Sequence, residues 1–600
     1  MGVKEEAIGD YFLIGDLHTS ALVSKNGSID WLCLPHFDSA SMFAKILDKN
    51  KGGSFSVDSS KYKSNAKYSG KTAIVETAFS NRKGKFIMKD FMLPQPIKKA
   101  NSHYLVRKFN SVEGTHELTF HYNPEPDYAR MRPYIYKKGS TLIMEEEDGA
   151  LILHMPKEAK ATELDQGYKV EVKISRGEMK EFVLEYYKRV HRKYKKQNLE
   201  IKTRKFWEKW VSKGKFHSFS KDRLIRSAIT LKLLQYYPTG ALIAAPTASL
   251  PETIGGERNW DYRYVWIRDA TFTIFAFYIL GYYGEAKRFF KYMEDIAKER
   301  GGEADTSAFY TIYRRLPGRE TILDFSGYKN SKPVRVGNNV VKQYQIDMYG
   351  ALIDAYYLII KKDFRITKIA KKMILDLIEE IKVNWKKKDN GIWELGHKPE
   401  HYTYSKVMAW LGADRALTLC DRLKIPKSKK EEIRKLADEI KKWIWDNCYD
   451  KKKKKLLQYP GAKHQDASNF LFVALKFLNK DDPLTREILE NTEKELVERK
   501  IFVRRYKTND GYKGKEGAFV LCSFWRISAW AIIGDLDKAD KLFHETEERF
   551  SKNGLMSEEI NPGNSSLLGN YPQAFSHLGH IMGAHNIHKY KKKYGWRAKR

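Results

Sequence analysis

From Ser220 onward, apolar positions recur at helical spacing between breaker residues, a pattern that predicts twelve helices. They fall at about 220–236, 269–282, 284–299, 345–360, 367–385, 404–421, 428–447, 466–477, 484–497, 519–534, 536–549 and 573–590. Long connections alternate with short ones. In an up-and-down helical array, successive connections lie at opposite ends, so all the long loops gather at one end. A site built there can draw on many segments. Helices that follow a long loop tend to be apolar or small-residue-rich nearly all round. Examples are 269–282 (DATFTIFAFYILGY), 345–360 (QIDMYGALIDAYYLII), 519–534 and 573–590. Those that follow a short loop tend to be charged and amphipathic, as in 284–299 (GEAKRFFKYMEDIAKE), 428–447 and 536–549. An all-round apolar helix is buried, and an amphipathic one faces water on one side. Alternating inner and outer helices, about six of each, describe an (α/α)6 barrel. An open solenoid would carry a short repeating period, which this sequence lacks.

Before the helices the period changes. From Asp10 to about Tyr187, short alternating runs rich in β-branched and aromatic residues recur between turn residues, among them 28–34, 103–110, 115–122, 168–174 and 181–187. About a dozen strands with no clear helix between them predict an antiparallel β-sandwich. Residues 194–213 read as a basic helix carrying Phe206, Trp207 and Trp210, a bridge between the two parts. The expected organisation is a two-domain chain. Residues 1–190 form the sandwich, 191–219 a helical linker and 220–595 an all-α (α/α)6 barrel.

Composition narrows the class. Lysine and arginine exceed aspartate and glutamate by 34, which raises the question of nucleic acid. The lysines are scattered over outer helices and turns, with no basic arm, so no nucleic-acid partner is expected. Four cysteines, at 33, 420, 448 and 522, lie far apart in apolar or helical settings and read as free thiols. The N-terminal residues carry no charged-then-apolar signal, and no run reaches membrane-spanning length without charges. The expectation is a soluble cytoplasmic protein with no membrane partner.

The residues with chemical character sit on the long loops. In 386–403, the turn Asp389-Asn390-Gly391 delivers Trp393 beside Glu394. An indole next to a carboxyl can desolvate it, as a general acid requires; the plainer reading is a loop anchor and a solvated turn residue. In 550–572, Glu558 and Glu559 stand between Met556 and Ile560. Alone they read as a helix-start acid pair or a salt bridge. Two carboxylates from two loops at one barrel mouth are what glycosidic cleavage needs, one as acid for the leaving oxygen and one as base for water. The loop from 237 ends in Trp260, Tyr262, Tyr264, Trp266, Arg268 and Asp269, where Asp269 could simply cap its helix or hold sugar hydroxyls with Arg268. The loop 498–518 adds Arg504, Arg505, Tyr506 and Glu516, and the loop 300–344 leads into Gln343, Gln345 and Asp347. His577 and His580, with His585 beyond, read as buried hydrogen-bonded histidines rather than metal ligands. No metal and no cofactor is expected, and metalloprotease, P-loop and α/β-hydrolase motifs are missing from the sequence.

These loops resemble glycoside hydrolase family 15, the glucoamylase family, in its prokaryotic form. The matching stretches are 8–39 (IGDYFLIGDLHTSALVSKNGSIDWLCLPHFDS), 245–252 (APTASLPE), 259–270 (NWDYRYVWIRDA), 390–394 (NGIWE), 402–417, 516–525 and 556–581. The resemblance implies a sandwich followed by an (α/α)6 barrel, and exo-cleavage of α-glucosides with inversion. It implies Glu394 as general acid and Glu558, rather than Glu559, as general base. Arg268 and Asp269 would hold the terminal glucose, with Trp266 and Trp393 in the same binding region. Arg505 and Tyr506 would contact the substrate beyond the cleaved bond, Glu516 would also bind substrate, and His401 and Lys406 would line the pocket. Prokaryotic members often carry arginine two residues after the acid; here that position is Gly396. The family also contains trehalases. The first expectation is therefore an exo-acting hydrolase of maltooligosaccharides or starch-like glucans, with α,α-trehalase as the alternative. A disaccharide phosphorylase and a non-catalytic glycan-binding protein stand behind both.

Overall fold

In the computed structural model, residues 5–147, 149–188, 198–217, 219–301, 307–361, 366–395 and 399–595 are described. The N-terminal part holds two eight-stranded sheets whose strand ladders are all antiparallel. One sheet runs Tyr11–Gly15, Ser20–Ser24, Ile29–Cys33, Ser54–Val57, His116–Asn123, Tyr168–Ile174 and Lys160–Glu163, with Ser41–Phe43 paired to Ile29–Cys33. The other runs Ile135–Lys138, Thr141–Glu146, Gly149–His154, Met179–Lys188, Ser102–Glu113, Gly84–Met92, Val75–Asn81 and Lys63–Tyr68. His116–Asn123 alternates buried and more exposed residues, because successive side chains of a strand point to opposite faces. The inward faces meet in a core containing Phe55, Phe109, Phe120 and Phe182.

Among the described residues, twelve barrel helices follow, within a few residues of the expected bounds. Six form an inner ring: Ile267–Ile279, Asp347–Ile360, Thr403–Leu419, Ser468–Ala474, Val520–Ile532 and Ala574–Lys593. Each packs on the next, and the last packs back on the first, which closes the barrel. The helix Val520–Ile532 is buried at every position, because neighbours surround it on all sides. The outer ring comprises Tyr283–Glu299, Lys368–Asn384, Lys427–Cys448, Pro483–Leu496, Leu536–Phe550 and Lys221–Leu233. Outer helices bury one stripe, such as Ile433, Leu436, Ala437, Ile440 and Ile444 in Lys427–Cys448. Lys221–Leu233 departs from that pattern. Its positions from Leu224 to Leu233 are buried, because the sandwich covers the side that would otherwise meet water; Arg226 stacks its guanidinium on Tyr68 at 3.4 Å. No described helix is long and apolar enough to cross a membrane.

The bridging helix spans Leu199–Val211; its expected start at 194–197 lies outside the described residues. Glu200 takes Lys89 and Lys108 from the sandwich at 2.8 and 2.9 Å. On the barrel side, Trp210 stacks on Tyr282 with centroids 4.0 Å apart and donates to Glu285 at 2.7 Å. The four cysteines are buried and free. His577 and His580 are buried and share the Ser227 hydroxyl, each at 3.0 Å, and His580 also meets Glu547 at 2.7 Å.

One ion pair in the sandwich is wholly buried. Arg107 donates from Nε to Asp90 at 2.8 Å and from Nη1 to the Phe55 carbonyl at 2.9 Å. Burial raises the Asp90 carboxyl pKa, and Arg107 opposes the rise. Arg107→Met strands a buried carboxylate and should cost about 3–5 kcal/mol in denaturant unfolding, whereas Arg107→Met with Asp90→Leu should recover most of the loss.

Candidate active site

Each long loop runs into the N-terminal end of an inner helix, so the loops converge at that end of the barrel. Two adjoining cavities lie there and share Tyr262, Trp393, Glu394 and Arg505 in their walls. The inner one, of about 40 Å³, is also lined by Trp266, Arg268, Asp269, Phe519, Glu558 and Phe575. The outer one, of about 140 Å³, adds Glu252, Arg258, Trp260, Tyr506, Asp510 and Tyr512. Glu394 and Glu558, far apart along the chain, thus face one pit.

Glu394 lies at the tip of the turn after Asp389, with a left-handed backbone (φ 56°). A non-glycine residue there costs roughly 1–3 kcal/mol, a cost that persists when surrounding structure enforces it. The enforcement is visible. Its Oε1 accepts from Trp266 Nε1 at 2.9 Å, Gln345 Nε2 at 2.9 Å and Arg268 Nη2 at 3.3 Å. Its Oε2 has no protein donor among the described residues. The expected neighbour, Trp393, lines the same pit but turns its indole N–H away to Asp466 at 2.8 Å; Trp266 is the indole bonded to the carboxyl.

Glu558 and Glu559 are separated by strand geometry. Ala518–Phe519, Glu559–Ile560 and Leu567–Leu568 form a small antiparallel sheet. Successive side chains of an extended segment point to opposite sides. Glu558 therefore lines the pit, while Glu559 accepts from the Gly517 N–H at 2.8 Å and faces Arg505 at 3.2 Å. Glu558 Oε2 is buried without a protein hydrogen bond. Burial pushes the Glu558 carboxyl up to about 7; Arg505 and the Tyr262 hydroxyl oppose the rise, and Glu516 adds to it.

Two buried arginines organise the charge. Arg268 reaches Asp269 at 3.3 Å, Asp347 at 3.4 Å and Glu394 at 3.3 Å. Burial lifts the Asp269 carboxyl to about 7 against the pull of Arg268. Arg505 meets Glu252 at 3.0 Å and Glu559 at 3.2 Å, and contacts Glu516 closely. Burial raises Glu252 and Glu559 well above the usual carboxylate range, and the neighbouring carboxylates add to the rise. Glu252, Glu516 and Glu559 bring one oxygen each within 4.8 Å of one another, but the Arg505 guanidinium stands among these oxygens as their counter-ion.

Several expected residues lie elsewhere. Lys406 is fully buried and donates to the Trp385 carbonyl at 2.6 Å and to the Lys387 carbonyl. It ties down the start of the acid-bearing loop instead of lining the pit, because its position in the first turn of Thr403–Leu419 faces that loop. His401 packs on Trp443 of an outer helix at 5.5 Å, beside a separate surface cavity. Glu516 does not line either chamber; it sits behind Arg505 and Tyr506. Gly396 lies outside the described residues. Sequence reading assigned no role to Glu252, although it ends the quoted stretch 245–252. It also gave none to Arg258, Asp510 or Tyr512, which wall the outer chamber. Arg258 forms a two-pronged pair with Asp510, at 3.0 Å from Nε and 2.8 Å from Nη2.

Comparison with known proteins assigns the chain to a family. Residues 218–532 match the model of glycosyl hydrolases family 15, and residues 1–206 match a trehalase-like N-terminal domain. A trehalase of Thermoplasma volcanium is 34% identical over 575 residues, covering 95% of this chain and 91% of the relative. A trehalase of Mycolicibacterium smegmatis is 34% identical over 607 residues, covering 96% and 90%. Trehalase 1 of Sulfolobus acidocaldarius is 31% identical, covering 94% and 96%. A bacterial glucoamylase solved with acarbose shares the fold, with a TM-score of 0.73 at 15% identity over 98% of this chain and 94% of that one. The protein is a glycoside hydrolase. It belongs to glycosyl hydrolases family 15.

Gly569 (φ 71°) runs so close to Glu558 that an added Cβ would stand 2.5 Å from Oε2. Gly569→Ala should displace this carboxylate and lower kcat by about 10²-fold, with the circular-dichroism spectrum retained. Unchanged turnover would show that the placement of Glu558 is not critical.

Proposed function

We propose that the protein is an inverting α,α-trehalase. The observation that carries this reading is the pit itself, with Glu394 and Glu558 on its walls and Arg268 and Asp269 at its inner end. The choice among α-glucosides rests on the relatives. Sequence reading put maltooligosaccharides first and trehalose second; relatives named trehalase, matching along nearly the whole chain, reverse that order. The fold shared with a glucoamylase does not discriminate between them.

One glucose ring occupies the inner chamber, its hydroxyls taken by Arg268 and Asp269. The second ring fills the outer chamber against Tyr506 and beside Arg505. Glu394 delivers a proton to the oxygen between the two anomeric carbons as the inner C1–O bond breaks. Its Oε1 is held by Trp266 and Gln345, which leaves Oε2 to carry that proton. Glu558, through its unpartnered Oε2, takes a proton from the water that attacks C1. The water's oxygen becomes the new C1 hydroxyl, with inverted configuration.

Inversion of trehalose yields one β-glucose and one α-glucose per turnover, because only the attacked carbon changes configuration. Proton NMR within the first minutes should show equal amounts of the two anomers; α-glucose alone would indicate retention. Trehalose should be the preferred substrate over maltose, maltotriose and isomaltose, and preference for maltotriose would restore the glucan reading. Glu394→Gln should lower kcat on trehalose by about 10²–10⁴.

A general base must be ionised to act. With Glu558 near 7, kcat/KM should fall as pH drops through about 7. Glu516→Gln removes a negative neighbour that raises Glu558, so the same limb should move to lower pH. A limb that stays in place would separate Glu558 from the observed titration.

A further inference from the structure

A further cavity, of about 520 Å³, occupies the barrel axis at the end opposite the pit. All six inner helices line it, one each through Phe272, Ala355, Met408, Leu471, Ile532 and Met582. Its volume lies within the range of about 300–1,000 Å³ found for small-molecule sites, and its mainly apolar wall is typical of them. A single aromatic layer divides it from the pit. Phe272 faces the lower cavity, Phe575 faces the inner sugar chamber, and their rings meet edge-on at 6.2 Å.

The mouth carries unbalanced positive charge. Lys361, Arg415, Lys476, Lys480 and Lys589 line it against only Asp354 and Asp481. Arg415 is paired with Asp354 at 2.6 Å, and Lys480 with Asp481. Lys361, Lys476 and Lys589 have no carboxylate partner among the described residues. They sit close enough to repel one another: burial, then Lys476, Lys593 and Lys361, push the Lys589 ammonium below its ordinary pKa. Like charges gathered at the rim of an apolar chamber cost free energy that an anion there would recover.

We propose that this axial cavity is a binding site for a small amphiphilic anion. Its apolar body lies within the ring of inner helices, and its anionic head sits among Lys361, Lys476 and Lys589. Bound there, the molecule rests against the back of the Phe272–Phe575 layer. The proposal is independent of which sugar the pit accepts.

The probe is anilinonaphthalene sulfonate, titrated by fluorescence into the full-length protein. The expected result is one saturable site, displaced by decanoate and not by decyltrimethylammonium. Ala355→Trp fills the chamber and should abolish binding, with folding checked by circular dichroism. Lys476→Glu combined with Lys589→Glu leaves the apolar wall intact and should weaken binding by about tenfold or more. This second variant carries the test by itself if Ala355→Trp does not fold. Absence of a saturable site, equal displacement by the cation, or unchanged affinity in the rim variant would overturn the proposal.

Discussion

The two-carboxylate pit depends on two buried guanidiniums. Arg505 stands among Glu252, Glu516 and Glu559, and Arg268 among Asp269, Asp347 and Glu394. Each arginine neutralises one carboxylate's worth of charge, and each faces three. Desolvation and neighbouring negative charge raise Asp269, Asp347, Glu252 and Glu559 above the usual carboxylate range. Glu559 is raised by the charges of Glu252 and Glu558, and Glu252 by that of Glu558, so the protons of these three belong to the group more than to any single residue. A chemistry that moves one proton onto a leaving oxygen and takes another from water suits such a site. The same crowding suits arginine over lysine, since a planar fork serves several oxygens at fixed angles.

The sandwich is a structural partner of the pit, although none of its described residues lines either chamber. Trp31 donates to the Pro246 carbonyl at 2.8 Å, and Tyr571 reaches back to the Tyr11 carbonyl at 2.8 Å. Arg263, fully buried against Asp261, also bonds the Ser39 carbonyl at 2.8 Å. These contacts clamp the loops that lead into Arg268 and out of Glu558. Long loops are ordinarily the mobile part of a fold. Here a second domain supplies the rigidity that a two-carboxylate site requires.

The two ends of the barrel divide the labour. The loop end is polar, charged and assembled from many segments. The opposite end is mainly apolar and formed by the inner helices and the turn after Ser468–Ala474, with lysines at the rim. The Phe272–Phe575 layer between them is one side chain thick on each face, so the axis holds two chemically distinct chambers within a single ring.

By itself the sequence determined the architecture. All-round apolar helices such as Val520–Ile532 can only be inner, amphipathic ones such as Lys427–Cys448 can only be outer, and period-two runs such as His116–Asn123 can only be strands; these are local properties of pattern. It also determined which loops carry the chemistry, and it named Glu394, Glu558, Arg268 and Asp269, which the fold brings to one pit. The resemblance favoured Glu558 over Glu559, but only the tertiary structure shows the physical difference, because a strand pairing with Ala518–Phe519 turns Glu558 into the pit and Glu559 toward Arg505. Only it moved Lys406 and His401 out of the pit, since their directions depend on the helix phase and on Trp385 and Trp443. Glu252 and Asp466 take their roles from partners at Arg505 and Trp393, far along the chain. A one-dimensional pattern fixes what each segment is; which side chains converge is settled by packing between segments that the pattern does not couple.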